Sequence, residues 1–207
     1  MPNKNNIIIF SGDLPEDLEF SDAISIDCEA MGLNINRDRL CLIQIADNKG
    51  KIYAVKFKAN SYEAPNLSKV LANQDILKIF HFARFDVAQI YRYLGVMTQN
   101  IYCTKIASRI ARTYTDCHGL KDLCRDLLGV TLNKAQQSSD WGSDALTNEQ
   151  IKYAAGDVAY LSDLKKSLDI ILTRESRHEL AHGCFSFIPQ RVLLDVRGWE
   201  NLDIFAH

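Results

Sequence analysis

The feature that most constrains this chain is a change of hydrophobic period near residue 84. Before it lie short β-rich runs, Ile7 to Phe10, Ala23 to Cys28, Leu40 to Ala46, Ile52 to Phe57 and Ile76 to Phe82. Turn residues such as Asn48-Lys49-Gly50 separate them and suggest hairpin-linked strands, with one helix expected at Pro65 to Asn73. From Arg84 onward the pattern is helical: Leu120, Leu123, Cys124, Leu127 and Leu128 recur at helical spacing, and Thr147 to Gln150 has the form of a capping box opening a long helix. Strands first and helices afterwards imply an α/β or α+β arrangement around one sheet. The 207 residues suffice for one domain with a sizeable core. With 47% hydrophobic residues, 10 Gly and 4 Pro, disordered and collagen-like classes are excluded. The segment 185–207 is less regular but keeps Phe185, Phe187, Ile188, Trp199 and Phe205, so it is expected to pack on this domain or on another subunit.

The formal net charge of -2 argues against a protein that grips long nucleic acid by overall positive charge. The charge is uneven, however. Residues 78–134 carry 9 basic and 4 acidic side chains, while both ends are acidic. An unevenly solvated surface and a local patch for an anionic ligand both fit this swing, and the count does not choose between them. The 6 cysteines form no CxxC pair, and no apolar run is long enough for a secretory leader or a membrane span. Reduced thiols in a cytoplasmic protein, with no membrane partner, are therefore expected.

Three places offer chemistry. In Ser25-Ile26-Asp27-Cys28-Glu29 the two carboxylates leave one face of a strand and Cys28 leaves the other. Like charges so placed repel unless a cation holds them, and hard oxygens favour Mg²⁺ or Mn²⁺ over Zn²⁺. A solvated strand end is the plain alternative. Asp86, in His81-Phe82-Ala83-Arg84-Phe85-Asp86, follows the Ile76 to Phe82 strand, where an acid at a helix N-terminus also has a purely structural reading. Tyr153-Ala154-Ala155-Gly156-Asp157 stacks a phenol and a carboxylate on one helical face. A fourth motif competes: His178-Glu179-Leu180-Ala181-His182 matches HExxH, the pattern of a zinc metalloprotease. Its surroundings count against that reading. The extended form requires a Gly and a third His where Phe185 and Ile188 stand, and Glu200 is the only downstream glutamate to complete a ligand set.

Read together, Asp27-x-Glu29, Asp86 and Tyr153-x-x-x-Asp157 resemble the three exonuclease motifs of the DEDD superfamily, tyrosine branch. The stretches Leu132 to Trp141 and Leu146 to Leu161 look like ribonuclease D and its relatives. Ribonuclease D carries additional helical domains after its catalytic domain, where this sequence offers only the 185–207 tail and a shorter type of enzyme is expected, and Asp144-Ala145 stands in place of the usual Arg-Pro. Arg37 to Cys41, Cys103 to Ser108, Arg112 to Asp116 and the ending Trp199 to His207 are closer to the nano-RNase C family. Ala30 stands where the first superfamily motif commonly has Thr, so that hydroxyl contact to a terminal nucleotide is absent.

The resemblance implies an α/β, ribonuclease H-like exonuclease fold, a mixed central sheet flanked by helices. It divides the chain into a catalytic domain at 1–184 and a C-terminal tail at 185–207. It implies a metal-dependent 3′-to-5′ exoribonuclease that cleaves dinucleotides and short RNA to nucleoside 5′-monophosphates. The alternative is a ribonuclease D-like processor of longer RNA or DNA 3′ ends. Asp27, Glu29, Asp86 and Asp157 would hold two divalent cations, Mg²⁺ or Mn²⁺, and Tyr153 would orient the attacking water. Leu33, with a core leucine as its alternative, would wedge against bases. His81, Arg84, Gln137, Ser139 and Trp141 would contact substrate, although Arg84 in an ion pair and a merely packed Trp141 stay open. Lys105, Arg109 and Arg112 are further phosphate candidates. A homo-oligomer, in related enzymes an octamer, is implied as well.

Overall fold

The structure is a computed structural model and describes residues 7–132 and 139–206. Its centre is a 6-stranded sheet in the order β1-β4-β3-β2-β5-β6. The strands are β1 (Ile7–Ser11), β2 (Ala23–Ala30), β3 (Leu40–Asp47), β4 (Ile52–Lys56), β5 (Leu77–Phe80) and β6 (Ile101–Cys103). β2, β3 and β4 form antiparallel hairpins, whereas β1 runs parallel to β4 and β5 lies parallel to both β2 and β6. The sheet is therefore mixed, as expected, but β1 joins it as a parallel edge rather than through a hairpin. β6 corrects the expectation of helices alone after residue 84; three residues are too few to show a period of two.

The helices are α1 (Pro65–Ala72), α2 (Ala83–Leu94), α3 (Thr104–Ala111), α4 (Leu120–Leu128), α5 (Asn148–Ala159), α6 (Leu161–Arg174) and α7 (His178–Leu194). Their ends are chemically fixed. Pro65 occupies the first turn of α1, and the Asp13 carboxylate accepts from the N–H groups of Asn66 and Leu67 at 2.9 Å each, which satisfies two otherwise unpaired donors. α2 stops at Gly95, left-handed at φ 69°, whose N–H donates to the Tyr91 carbonyl. The Thr147–Gln150 capping box forms as the sequence predicts. Among the described residues no helix is long and apolar enough to cross a membrane.

Strand pleating sorts side chains to two faces. Ile26, Cys28, Ile43 and Ile45 enter the main core with α1, α2, α3, α6 and α7. On the other face Leu42, Ala46, Ile52 and Ala54 meet Ala154, Ala155 and Val158 of α5. The register pairs Asp27 with Gln44 and Glu29 with Leu42, so both carboxylates lie on the α5 face. The alanines of α5 let its backbone approach the sheet closely beside them. α7 is regular through Leu194 even though Pro189 sits inside it, and this proline obscures the helical pattern in the sequence. The boundary expected after residue 184 falls within α7, where Phe185, Ile188 and Val192 are part of the main core.

Candidate active site

Asp27 and Glu29 come from β2, and Asp157 comes from α5. Each offers a ligand oxygen within 4.8 Å of the others. Asp86 enters from the first turn of α2 and is 2% exposed, with Oδ1 accepting from the Cys28 N–H at 3.0 Å. These four acids line one cavity of about 510 Å³ together with Tyr153, Leu33, His81, Phe82, Lys105 and Ser139.

Burial pushes the Asp27 carboxyl well up, and Asp86, Asp157 and Glu29 add repulsion in the same direction. Glu29 is also raised, by burial and then by Asp157 and Asp86, while the Gln44 amide opposes the change through a 3.4 Å hydrogen bond to Oε1. Asp86 is pushed up to about 8, chiefly by burial, and the Cys28 N–H works against this. Two unit charges 4.8 Å apart repel by roughly 3 kcal/mol at an effective dielectric of about 20. A fold that gathers these acids in one cavity suits hard divalent cations: the donors are all carboxylate oxygens, and burial first, with repulsion between neighbours adding to it, leaves their charge in need of a counter-ion.

Tyr153 lies one helical turn before Asp157 and is held from behind. Its ring is 6.0 Å from that of Trp141, which is 2% exposed against Cys41, Leu42, Ala54 and Ala154. Gln150 Nε2 donates to Ser139 Oγ at 3.1 Å and to the Asp140 carbonyl at 3.0 Å. The capping box of α5 thus ties the 139–141 segment to the helix that carries Tyr153 and Asp157. Burial and the neighbouring acids raise the phenol, so it keeps its proton through the neutral range.

Other expected contacts divide. Leu33 is 84% exposed at the cavity rim, so the core reading of this leucine is overturned. It projects from a turn in which Asp38 accepts from the Asn34 N–H and pairs with Arg37, and Gly32 packs so close to Asp38 that a β-carbon would not fit. His81 bonds through Nδ1 to Thr104 Oγ1 at 2.9 Å. Gln137 lies outside the described residues. Arg84 does not face the cavity: it pairs with Asp195 at 2.5 Å and donates to the Glu200 carbonyl. Two residues along a helix is a turn of about 200°, which sends Arg84 away from Asp86. Trp141 packs rather than presenting a surface to substrate. Arg112 is likewise committed, 2% exposed and paired with Asp126 at 2.6 Å. His178 and His182 line a separate cavity, and among the described residues they do not converge with Glu200 into a ligand group.

Two cavity-shaping residues escape a reading of the sequence alone. Gln44 is fully buried on β3; a lone amide within the apolar run Leu40 to Ala46 is its signal. Phe82 takes φ 70° and lies beneath the Lys105 ammonium, 4.1 Å from the ring centroid. Nothing in the sequence marks that backbone conformation.

A ribonuclease H-like sheet with acids delivered by β2, α2 and α5 defines a 3′-5′ exonuclease scaffold. The 3′-5′ exonuclease family model matches residues 10–173, and the chain belongs to that family. It is similar to Brucella melitensis NrnC with bound Mg²⁺, at 46% identity over 97% of this chain and 98% of that one, with a TM-score of 0.93. The same Brucella protein bound to pGG matches at 48% identity, with the same coverage and TM-score. Ribonuclease D of Sphingobium indicum is 35% identical over 67% of this chain and 35% of its own length. The chain thus spans about a third of the length of the ribonuclease D relatives it matches.

Proposed function

We propose that this protein is a metal-dependent 3′-to-5′ exoribonuclease that cleaves dinucleotides and short oligoribonucleotides to nucleoside 5′-monophosphates in the cytoplasm. The observation that carries the reading is the set of four acids and one tyrosine in a cavity of about 510 Å³, room for a short substrate. Likeness to a protein bound to pGG along nearly its whole length supports the same substrate class.

Asp27, Glu29, Asp86 and Asp157 would hold the divalent cations, Mg²⁺ or Mn²⁺. Such ions, when bound, lower the pKa of water and neutralise charge on the phosphodiester. Tyr153 Oη, protonated at neutral pH, orients the attacking water as a donor or acceptor rather than removing its proton. Gln44 keeps Glu29 aimed into the cavity through its amide. Leu33 presents an apolar surface to a base at the rim, and His81 and Ser139 offer polar contacts beside it. On this reading residues 1–184 are the catalytic domain and the 185–207 tail packs on it through Phe185, Ile188 and Val192. Beyond them, Phe187, Trp199, Leu202, Ile204 and Phe205 remain exposed and suit an interface between copies of the chain.

Turnover of pGG set against a longer oligoribonucleotide and a single-stranded DNA tests the proposal. Faster hydrolysis of the dinucleotide is expected, and faster hydrolysis of the longer RNA or DNA would replace it with a ribonuclease D-like role. Asp27→Ala and Asp157→Ala are expected to abolish Mg²⁺-dependent cleavage with the fold retained; undiminished activity would reject the site.

A further inference from the structure

His81 is the first residue beyond β5, where Phe82, left-handed at φ 70°, turns the chain into α2. Its imidazole lines the cavity together with the acids, and a short chain of hydrogen bonds decides what the ring offers there. Thr104, fully buried at the start of α3, donates its hydroxyl proton to the Phe80 carbonyl at 3.1 Å. A threonine hydroxyl has a single proton, so toward His81 Nδ1, 2.9 Å away, Thr104 Oγ1 is the acceptor. Nδ1 therefore carries a proton, and in the neutral ring Nε2 is an acceptor. We propose that His81 Nε2 accepts a hydrogen bond from the 2′-hydroxyl of the bound nucleotide and so selects ribose over deoxyribose, a role that rests on the exonuclease reading of the cavity.

The choice of partner follows from counting donors and acceptors. A phosphate oxygen only accepts, so it belongs with the donors of the same cavity rather than with a nitrogen lone pair. Those donors are the Lys105 ammonium and the Ser139 hydroxyl, whose oxygen accepts from Gln150 Nε2 at 3.1 Å and whose proton is directed elsewhere. Donors on the bases differ from one base to the next, whereas the 2′-hydroxyl is common to all ribonucleotides and absent from deoxyribonucleotides. Ala30, Met31, Gly32 and Leu33 line the cavity as well and bring no side-chain acceptor of comparable strength.

Thr104 acts here as a positioning residue. Without its hydroxyl the ring could present a donor at Nε2 as readily as an acceptor. A site built to receive a hydroxyl proton also rejects the analogue that lacks it, because the acceptor is then left unsatisfied.

Steady-state hydrolysis of pGG and of its 2′-deoxy and 2′-fluoro analogues tests the assignment. The wild type should favour ribose by roughly tenfold or more in kcat/KM. The 2′-fluoro analogue, which has no proton to donate, should fall with the deoxy one. His81→Ala should slow the ribose substrate about tenfold more than the deoxyribose substrate, and His81→Gln, which restores an acceptor, should keep part of the preference. Thr104→Val should reduce the preference several-fold, and it reads the same ratio if the alanine variant fails to fold. Equal loss on both sugars, the mark of a structural role or of a contact to the 3′-hydroxyl, would overturn the inference. So would wild-type turnover of the 2′-fluoro analogue at the ribose rate. A wild type that hydrolyses all three equally rejects the sugar role and leaves the exonuclease reading in place. One that hydrolyses none of them rejects the exonuclease reading, and this role with it.

Discussion

Asp86→Asn should make the metal-free protein more stable while destroying its exonuclease activity. Burial pushes Asp86 from 3.8 up to about 8, so the folded protein holds a proton there that the unfolded chain has released. Folded protein therefore binds more protons than unfolded across that window, and metal-free stability falls as pH rises from 3.8 to about 8. At about 1.4 kcal/mol for each unit, the ceiling on this cost is about 6 kcal/mol near the upper end of the window. Water entering the open cavity relaxes part of it. Asparagine keeps the oxygen that accepts from the Cys28 N–H and carries no charge to bury. Recovering half the ceiling would raise the midpoint by about 6 to 12 °C for a chain of this size. The assay is thermal unfolding in a chelator at about pH 5 and about pH 8, repeated with Mg²⁺. The variant should gain on the wild type at both values but several-fold more at the higher pH, and added Mg²⁺ should stabilise the wild type more. A variant less stable than the wild type in chelator at the higher pH would refute the electrostatic reasoning, as would a gap independent of pH.

Tyr153→Phe should lower kcat about 100-fold with the Mg²⁺ dependence unchanged, because the phenol orients rather than ligates; a shifted Mg²⁺ requirement in activity titrations would contradict that role. Asp195→Ala should cost about 3 to 5 kcal/mol in denaturant unfolding, since it strands two guanidinium groups that share one buried carboxylate. Arg84→Ala should cost less, because Arg191 still pairs with that acid. Leu33→Ala should raise KM for pGG about tenfold through lost apolar contact, with kcat little changed.

The parts of the site legible in the sequence are those that a single element's geometry dictates. Asp27 and Glu29 share a face because strand side chains alternate, and Tyr153 and Asp157 share one because they are a helical turn apart. That these faces meet follows from Ala154 and Ala155, small residues whose packing role emerges only once α5 lies on β3 and β4. Asp86 could be read as an acid opening a helix, but its burial and its bond to the Cys28 N–H depend on how α2 crosses β2. Arg84 and Arg112 look like phosphate ligands because they are cationic and sit within motifs. The fold spends both on carboxylates, Asp195 and Asp126, which lie 111 and 14 residues further along. β6 is too short to announce itself, and Pro189 hides the continuity of α7.

The clamp at the C-terminal turn has a consequence for how such a chain can drift. Asp195 accepts from Arg84 and Arg191, and the same two arginines donate to the carbonyls of Trp199, Glu200 and Leu202. Loss of the acid leaves two cations facing each other, whereas loss of either arginine leaves the acid with one partner. Substitutions at positions 84, 191 and 195 are therefore not independent, and the viable order begins with an arginine. Because Arg84 is two residues from Asp86 on one helix, that order also links the 195–202 segment to the position of Asp86.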